Sequence, residues 1–216
     1  MLTLLLSAPL ALAAGPNDIG VLQASDVKVV QKQLYVKTGR NELGGSLGLM
    51  PFDGFTVGTQ LAVAGKKHAS DKLAYGVQLG GGYGFKTAHY ELLESPTYGV
   101  AVEAYRYLAS VDATAEYSPI YAKMNVAGTI LHHDVYVLGG AGLTVEQSVL
   151  PSADLAFAPT LPLGVGARIW LKDDTALRVE LRDQLMVEKR VQSGTTAFKQ
   201  NVVVSVGVGR FSKAKK

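Results

Sequence analysis

The chain has 216 residues, a formal net charge of +3 and 18% charged residues, a low charged fraction for a protein of this length. So small a net charge argues against nucleic acid as a partner. The sequence contains no cysteine, which excludes disulfides, thiol catalysis and thiolate metal sites. No apolar run approaches the ~20 residues of a membrane-spanning helix.

The first 42 residues differ in composition from the rest. Residues 1–14 are predicted to be a signal peptide, because an apolar stretch is followed by small residues that suit signal peptidase, with cleavage near Gly15. The basic start of such a peptide is missing, so we expect the true translation start to lie upstream. The alternative, a short buried helix, conflicts with Pro9. Residues 15–42 are polar and mixed and are predicted to form a periplasmic N-terminal segment.

Eight later segments alternate apolar residues with small or charged ones, and this two-residue period is typical of strands. The pattern places each class of residue on one face of the strand. In the sixth segment, for example, Leu163 and Val165 alternate with Gly164 and Arg168. The segments are residues 43–50, 55–64, 73–85, 115–127, 134–146, 160–171, 176–187 and 198–211.

An apolar face opposite a face of glycine and arginine is the reverse of a soluble sheet and is typical of a barrel in lipid. The sequence therefore predicts an all-β fold, an eight-stranded antiparallel up-and-down transmembrane β-barrel. It would span residues 43–211 in the cell outer membrane of a Gram-negative bacterium, followed by a basic tail at residues 212–216.

The connections between the segments favour the same topology. With both ends of the barrel in the periplasm, the long third, fifth and seventh connections, residues 86–114, 147–159 and 188–197, would face outward as in known barrels. The first connection is a short exception. Within the third, residues 88–93 and 100–109 are predicted to form short helices, with extensions of the strands as the alternative.

Side chains fill the interior of an eight-stranded barrel, and buried charges there must pair. Arg168 and Arg178 should face each other across a hairpin, with Glu180 as the nearest carboxylate to relieve their repulsion. We predict an ion network that plugs the lumen, and the alternative is that the same residues line a narrow pore. The predicted network consists of Lys123, Glu146, Arg168, Arg178, Glu180 and Arg182.

The residue patterns predict no enzyme. His132 and His133 are adjacent on a strand, so they point to opposite faces and cannot easily bind one metal together. At the outer rim, His89 with Ser110 and Asp112 as neighbours is a weak catalytic candidate without a local signature. No catalytic, cofactor-binding or metal-binding residue is predicted.

Aromatic residues near the ends of the segments are predicted to form two girdles at the membrane interfaces. An aromatic residue at the end of the last strand also fits the signal that the barrel assembly machinery reads. The predicted outer girdle contains Phe55, Tyr83, Phe85, Tyr117 and Phe198, and the inner girdle contains Trp170 and Phe211.

Several of these stretches resemble one known family. They are residues 26–43, the turn Phe52-Asp53-Gly54-Phe55, and residues 117–123, 164–171 and 177–183. Together they are similar to the small outer membrane β-barrel domain family of myxobacteria and related proteobacteria. The resemblance covers most of the chain from Asp26 to Phe211. It implies a small outer-membrane barrel without a defined reaction.

We therefore expect a structural, anchoring or interaction role, with loop 86–114 presented to a candidate protein partner. Outer-membrane lipid and the barrel assembly machinery are the other expected partners. One alternative is a narrow channel for small solutes. Another is a soluble lipocalin-like barrel that binds an apolar ligand, which requires an apolar interior and a charged exterior.

Overall fold

Eight antiparallel strands form a closed ring in which each strand pairs with its sequence neighbours, as predicted. The computed structural model describes residues 34–100, 102–126, 128–149, 153–190 and 193–213, all within the unit Gln33–Lys216. Pairing of the first and last strands, from Glu42 with Phe211 to Leu49 with Val204, closes the ring. The strands are β1 (Asn41–Met50), β2 (Thr56–His68), β3 (Leu73–Lys86), β4 (Tyr105–Val126), β5 (Thr129–Ser148), β6 (Leu155–Lys172), β7 (Thr175–Lys189) and β8 (Thr196–Phe211).

The predicted signal peptide, residues 15–33 of the predicted periplasmic segment and residues 214–216 of the basic tail lie outside the described residues. The barrel itself begins at Asn41, two residues before the predicted boundary. Glu42 is therefore part of β1, and its side chain faces the lumen.

The strands turn their apolar residues outward. In β6, Leu161, Leu163 and Val165 are all exposed, whereas Arg168 on the other parity is fully buried. The other strands repeat this pattern, since the exposed faces are rich in leucine and valine and the buried residues are predominantly polar. This arrangement contradicts the lipocalin-like alternative, which requires the reverse orientation of the two faces.

The connections are short at one end of the barrel and longer at the other. We call the end that holds both described termini the inner end, where strands are joined by residues 69–72, 127–128 and 173–174. The outer connections are residues 51–55, 87–104, 149–154 and 190–195. In the described ranges, no helix is long and apolar enough to cross a membrane.

The third connection is shorter than predicted. Its first predicted helix is confirmed as α1 (Ala88–Glu94), where the Thr87 side chain accepts a hydrogen bond from the Tyr90 amide. The second predicted helix, residues 100–109, is wrong because β4 already begins at Tyr105. Pairing of Tyr105–Tyr107 with β5 satisfies the backbone that a helix would have satisfied internally.

Strands β4 and β5 extend beyond the inner end of the ring. β3 stops pairing with β4 at Tyr117, and β6 begins pairing with β5 only at His133. Between these points β4 and β5 pair only with each other, after a register shift between Tyr117 and Ile120. The result is a projecting hairpin, residues 120–133.

Candidate functional site: a charged lumen

Glycines determine where large side chains fit inside the barrel. Lys66 is paired with Gly76, Asp112 with Gly142, Arg178 with Gly207 and Arg182 with Gly164 on neighbouring strands. The Tyr136 ring lies over Gly166 in the same way, at a distance that leaves no room for a Cβ atom. Each of these five side chains therefore lies beside a strand position that carries no side chain of its own.

The lumen contains a balanced ion network in its inner half. Five cationic side chains and five carboxylates take part, and all of them are buried. Burial of so many charges is tolerable only when each has an oppositely charged partner in good geometry. The cations are Lys37, Lys66, Arg168, Arg178 and Arg182, and the carboxylates are Glu42, Asp112, Glu116, Asp134 and Glu180.

Two arginines occupy the centre of this network. Arg168 and Arg178 face each other across the β6–β7 hairpin, as predicted from the sequence. Arg168 Nη2 lies 3.0 Å from Glu116 Oε2, and Arg178 Nη1 lies 2.8 Å from Glu42 Oε1. Because Glu42 and Glu116 each contact both arginines, two carboxylates neutralise two like charges that would otherwise repel each other.

Glu180 pairs mainly with the third arginine of the network, Arg182. Its Oε1 accepts hydrogen bonds from Arg182 Nε at 3.0 Å and Arg182 Nη2 at 2.6 Å. Its Oε2 accepts a hydrogen bond from the Tyr136 hydroxyl at 2.9 Å and lies 3.4 Å from Arg178 Nη2. The Tyr136 ring also lies 4.7 Å from the Arg178 guanidinium, so cation–π attraction adds to the ion pairs.

The structure brings together four of the six residues predicted to form the network: Arg168, Arg178, Glu180 and Arg182. Lys123 does not join them, because it lies on the projecting hairpin beyond the lumen and is exposed. Glu146 is buried, but it pairs with Lys199 in the outer half of the barrel, at 2.9 Å. Both residues occupy inward-facing positions of their strands, as predicted, but they lie at other levels along the barrel axis than the prediction placed them.

In the inner half of the lumen, the sequence did not identify six charged residues and one histidine. Glu42 lies in β1 and not in the predicted N-terminal segment, and His68 lies in β2 and not in the predicted connection. His68 Nε2 lies 2.9 Å from Glu42 Oε2. The signal that could have found Glu116 is its even spacing from Ser110, Asp112 and Thr114, all buried on one face of β4. The missed residues are Lys37, Glu42, Lys66, His68, Asp112, Glu116 and Asp134.

Residues 34–40, which we call the N-terminal strap, cross the inner mouth. The Lys37 side chain enters the lumen and pairs with Asp134. The strap is fixed by hydrogen bonds from the Lys37 amide to Asp71 Oδ1 at 2.7 Å and from Arg40 Nε to the Ser212 carbonyl at 2.6 Å. It therefore covers the ion network from the inner side.

The predicted inner girdle is wrong. Trp170 and Phe211 are each only 3% exposed and lie inside the inner mouth, with ring centroids 4.6 Å apart. Tyr35 of the N-terminal strap stacks on Trp170 at 4.8 Å. Trp170 has the same strand parity as Arg168, so it faces the lumen for the same reason. The aromatic residues of this mouth form a lid instead of a lipid contact.

All five residues of the predicted outer girdle face outward, and four of them lie near the outer end of the barrel. Phe55, Tyr83, Phe85 and Phe198 are exposed close to the outer connections. Tyr117 is also exposed, but it pairs with Leu73 at the inner end, because β4 begins ten residues before the predicted strand.

The outer half of the lumen contains uncharged side chains and a smaller ion cluster. Gln60 Nε2 donates to the Tyr107 hydroxyl at 2.7 Å, and Ser110 lies 3.0 Å from the same oxygen. Met50 and Val203 pack against Tyr107. Above them, Lys199 pairs with Glu146 and with carboxylates from β7 and the first outer connection.

The geometry does not assemble a reactive centre from the predicted candidates. His89 is exposed on α1, whereas Ser110 and Asp112 are buried in the lumen. Within the described residues, no group of three or more histidine, aspartate or glutamate side chains is arranged to hold a metal ion. A cavity of about 30 Å³ beside Glu42, Lys66 and Arg178 has room for only one or two water molecules.

Comparison with solved structures gives small outer-membrane barrels. The N-terminal β-barrel domain of Pseudomonas aeruginosa OprF is 11% identical over 81% of this chain and 98% of its own, with a TM-score of 0.49. Neisserial surface protein A is 11% identical over 79% of this chain and 94% of its own, with a TM-score of 0.47. The Yersinia pestis attachment invasion locus protein Ail is 9% identical over 81% and 99%, with a TM-score of 0.43.

No family model matches the sequence. No curated protein matches it either. The resemblance to the myxobacterial barrel family therefore stays a prediction.

Proposed function

We propose that this protein is an outer-membrane β-barrel with an anchoring or interaction role, whose lumen is plugged by its own side chains. No reaction is proposed for it. The barrel would sit in lipid and present the connection that contains α1 on the cell surface.

The observation that carries this proposal is the inversion of the two barrel faces. All eight strands contribute exposed leucine, isoleucine, valine or methionine, or exposed aromatic residues, to the outer surface. Soluble monomers rarely expose contiguous apolar patches larger than a few hundred Å². Even the shortest strand, β1, has ten residues, which is enough to cross the hydrocarbon core when tilted. Lipid is the solvent that makes such a surface favourable.

Three layers of side chains support a plug rather than a pore. The aromatic lid of Tyr35, Trp170 and Phe211 closes the inner mouth. The ion network fills the space above the lid, and its cations and carboxylates are equal in number, which leaves little net charge to attract a passing ion. The cluster around Tyr107 follows toward the outer end.

The connection at residues 87–104 is the best surface for a protein partner. Tyr90 is buried, and the Lys86 ammonium lies 4.6 Å from its ring and 2.7 Å from a Glu94 oxygen, so α1 is tied to the end of β3. Leu92, Tyr98 and Val100 are exposed on the same connection. Exposed apolar side chains on a well-fixed element are typical of interaction sites.

Cell fractionation followed by a gel of boiled and unboiled samples tests the proposal. We expect the protein in the outer-membrane fraction, with an unboiled band that migrates differently from the boiled one because the folded barrel resists detergent. Recovery in the soluble fraction with unchanged mobility would contradict membrane insertion.

A further inference from the structure

We infer that the outer surface of β1, β2, β3 and β8 near the inner end carries a binding site for an anionic phospholipid. One acyl chain would lie in an apolar depression, and the phosphate would lie between Lys67 and Arg210. This inference rests on the proposed insertion of the barrel into a membrane.

The candidate site contains an apolar depression on the outer surface of the barrel. It has a volume of about 770 Å³, within the range of small-molecule sites in proteins. Gly65 forms its floor and is paired with Leu43 on one side and Val77 on the other. Its lining includes Leu43, Gly65, Lys67, Tyr75, Val77 and Arg210.

Packing of the barrel does not require a glycine at position 65. A Cβ atom on Gly76, which faces the lumen, would overlap the Gly65 carbonyl oxygen and the Lys66 backbone. A Cβ atom on Gly65 would meet nothing within 4 Å. The inward glycine is required by packing, whereas the outward one only shapes a surface that faces lipid.

The apolar depression continues along the outside of the barrel past Gly45. Gly45 follows Leu43 by two positions in β1 and also faces outward, and a Cβ there would come no closer than 3.9 Å to the Ala62 carbonyl oxygen. A second depression of about 280 Å³ lies at Gly45, between Leu61 and Val208. The two depressions offer an apolar path from the inner rim toward the middle of the barrel.

Two cationic side chains, Lys67 and Arg210, lie at the rim of the depression. Arg210 of β8 is paired with Leu43 of β1, and its side chain is 80% exposed. Lys67 is exposed on β2, on the opposite side of β1, where it is paired with Asn41. Arg210 Nε lies 3.6 Å from Asp174 Oδ2. Because this ion pair is exposed and therefore weak, a phosphate can replace the Asp174 carboxylate as the partner of Arg210. Lys67 makes no ion pair with any of the described residues. Two cations at the edge of an apolar depression match a lipid with an anionic headgroup.

Native mass spectrometry of the refolded barrel in mixed micelles tests this site. The probes are phosphatidylglycerol and phosphatidylcholine with identical acyl chains. We expect phosphatidylglycerol to be retained preferentially, and the double variant Lys67→Gln/Arg210→Gln to reduce that retention about tenfold. The matched control is Lys72→Gln/Lys172→Gln, which removes the same charge from exposed positions at the same end and should retain the lipid.

A second variant tests the depression independently of charge. Gly65→Leu fills its floor and should reduce retention of both lipids, whereas Gly81→Leu, at another outward glycine, should not. Equal retention of the two lipids, or equal losses in the rim and control variants, would overturn the inference. Displacement of phosphatidylglycerol by inorganic phosphate at equal concentration would also overturn it, because the acyl chain would then contribute nothing.

The gel assay separates this failure from failure of the proposed function. Each variant is first checked for the shifted unboiled band. A barrel that shifts but shows no lipid preference contradicts only the lipid site, whereas a chain that never shifts contradicts membrane insertion. If Gly65→Leu does not fold, the rim variants still decide the outcome.

Discussion

Glu116 lies in the lumen with Lys66, Arg168 and Arg178 around it, and it is only 1% exposed. Replacing it by glutamine keeps the volume but leaves three cations with too little opposite charge. Breaking a buried ion pair on one side typically costs about 3–5 kcal/mol. We therefore expect Glu116→Gln to lower the free energy of unfolding by about that amount, measured by urea titration with the unboiled gel band as the readout.

Glu94 provides the matched control for this prediction. It pairs with Lys86 on the outer connection, but both side chains are partly exposed. Glu94→Gln should change the free energy of unfolding by less than about 1 kcal/mol. An equal loss in the two variants would mean that the lumen network contributes no more than a surface pair.

A second prediction at the scale of one residue concerns the stability effect of replacing the glycines that face the lumen. Gly76→Ala forces a Cβ atom into the backbone of β2, and overpacking of this kind costs about 1–3 kcal/mol. Gly65→Ala, on the lipid-facing side, should leave the free energy of unfolding nearly unchanged. Urea titrations of both variants check this difference. Equal stability of the two would contradict the packing account of the inward glycines.

At the scale of the elements, the contact between the N-terminal strap and the inner mouth can be followed by the fluorescence of Trp170. Trp170 is the single tryptophan of the chain, and it lies between Tyr35 and Phe211. Brominated lipids should therefore quench its fluorescence only weakly. Tyr35→Ala should increase quenching by aqueous acrylamide, because it removes the stacked ring that covers the indole.

A lipid-facing tryptophan supplies the control for the quenching measurement. In Trp170→Phe/Leu163→Trp the only indole would face outward, since Leu163 is exposed on the same strand. Strong quenching by brominated lipid is expected there. If Trp170 in the unaltered protein is quenched as strongly, the aromatic lid does not exist.

The elements also show what the sequence could and could not predict. The two-residue period located parts of all eight strands, because one face of each strand meets lipid and the other meets the lumen. The position of a side chain along the barrel axis was harder to predict, since it depends on the register between neighbouring strands. Lys123 was predicted to lie in the lumen because its parity is correct, but the extension of β4 and β5 carries it beyond the ring.

The partners of the buried charges could not be predicted for a similar reason. Glu42 and Arg178 are 136 residues apart in sequence and meet only because β1 pairs with β8 and β8 with β7. Local patterns contain Arg168, Arg178 and Glu180 but not the carboxylates that reach them from the far side of the ring. Closing the barrel is what assembles the network.

At the scale of the whole molecule, the described residues combine an apolar exterior with a charge-balanced interior. The charges of the interior must balance, because a lumen this narrow can hold ten buried charges only when they neutralise one another. The connection at residues 87–104 is the surface that we propose for contacts with other proteins. These features are consistent with the proposed role of the molecule as a closed support in the membrane.

Conductance across a planar lipid bilayer tests this central claim most directly. The protein is added from vesicles in which the gel shift has verified folding and insertion. The account predicts no discrete current steps above the bilayer background at any applied voltage that the bilayer withstands, because the lid, the ion network and the Tyr107 cluster block the lumen in series. Reproducible steps of constant size from the verified barrel would contradict a plugged lumen and favour the narrow channel.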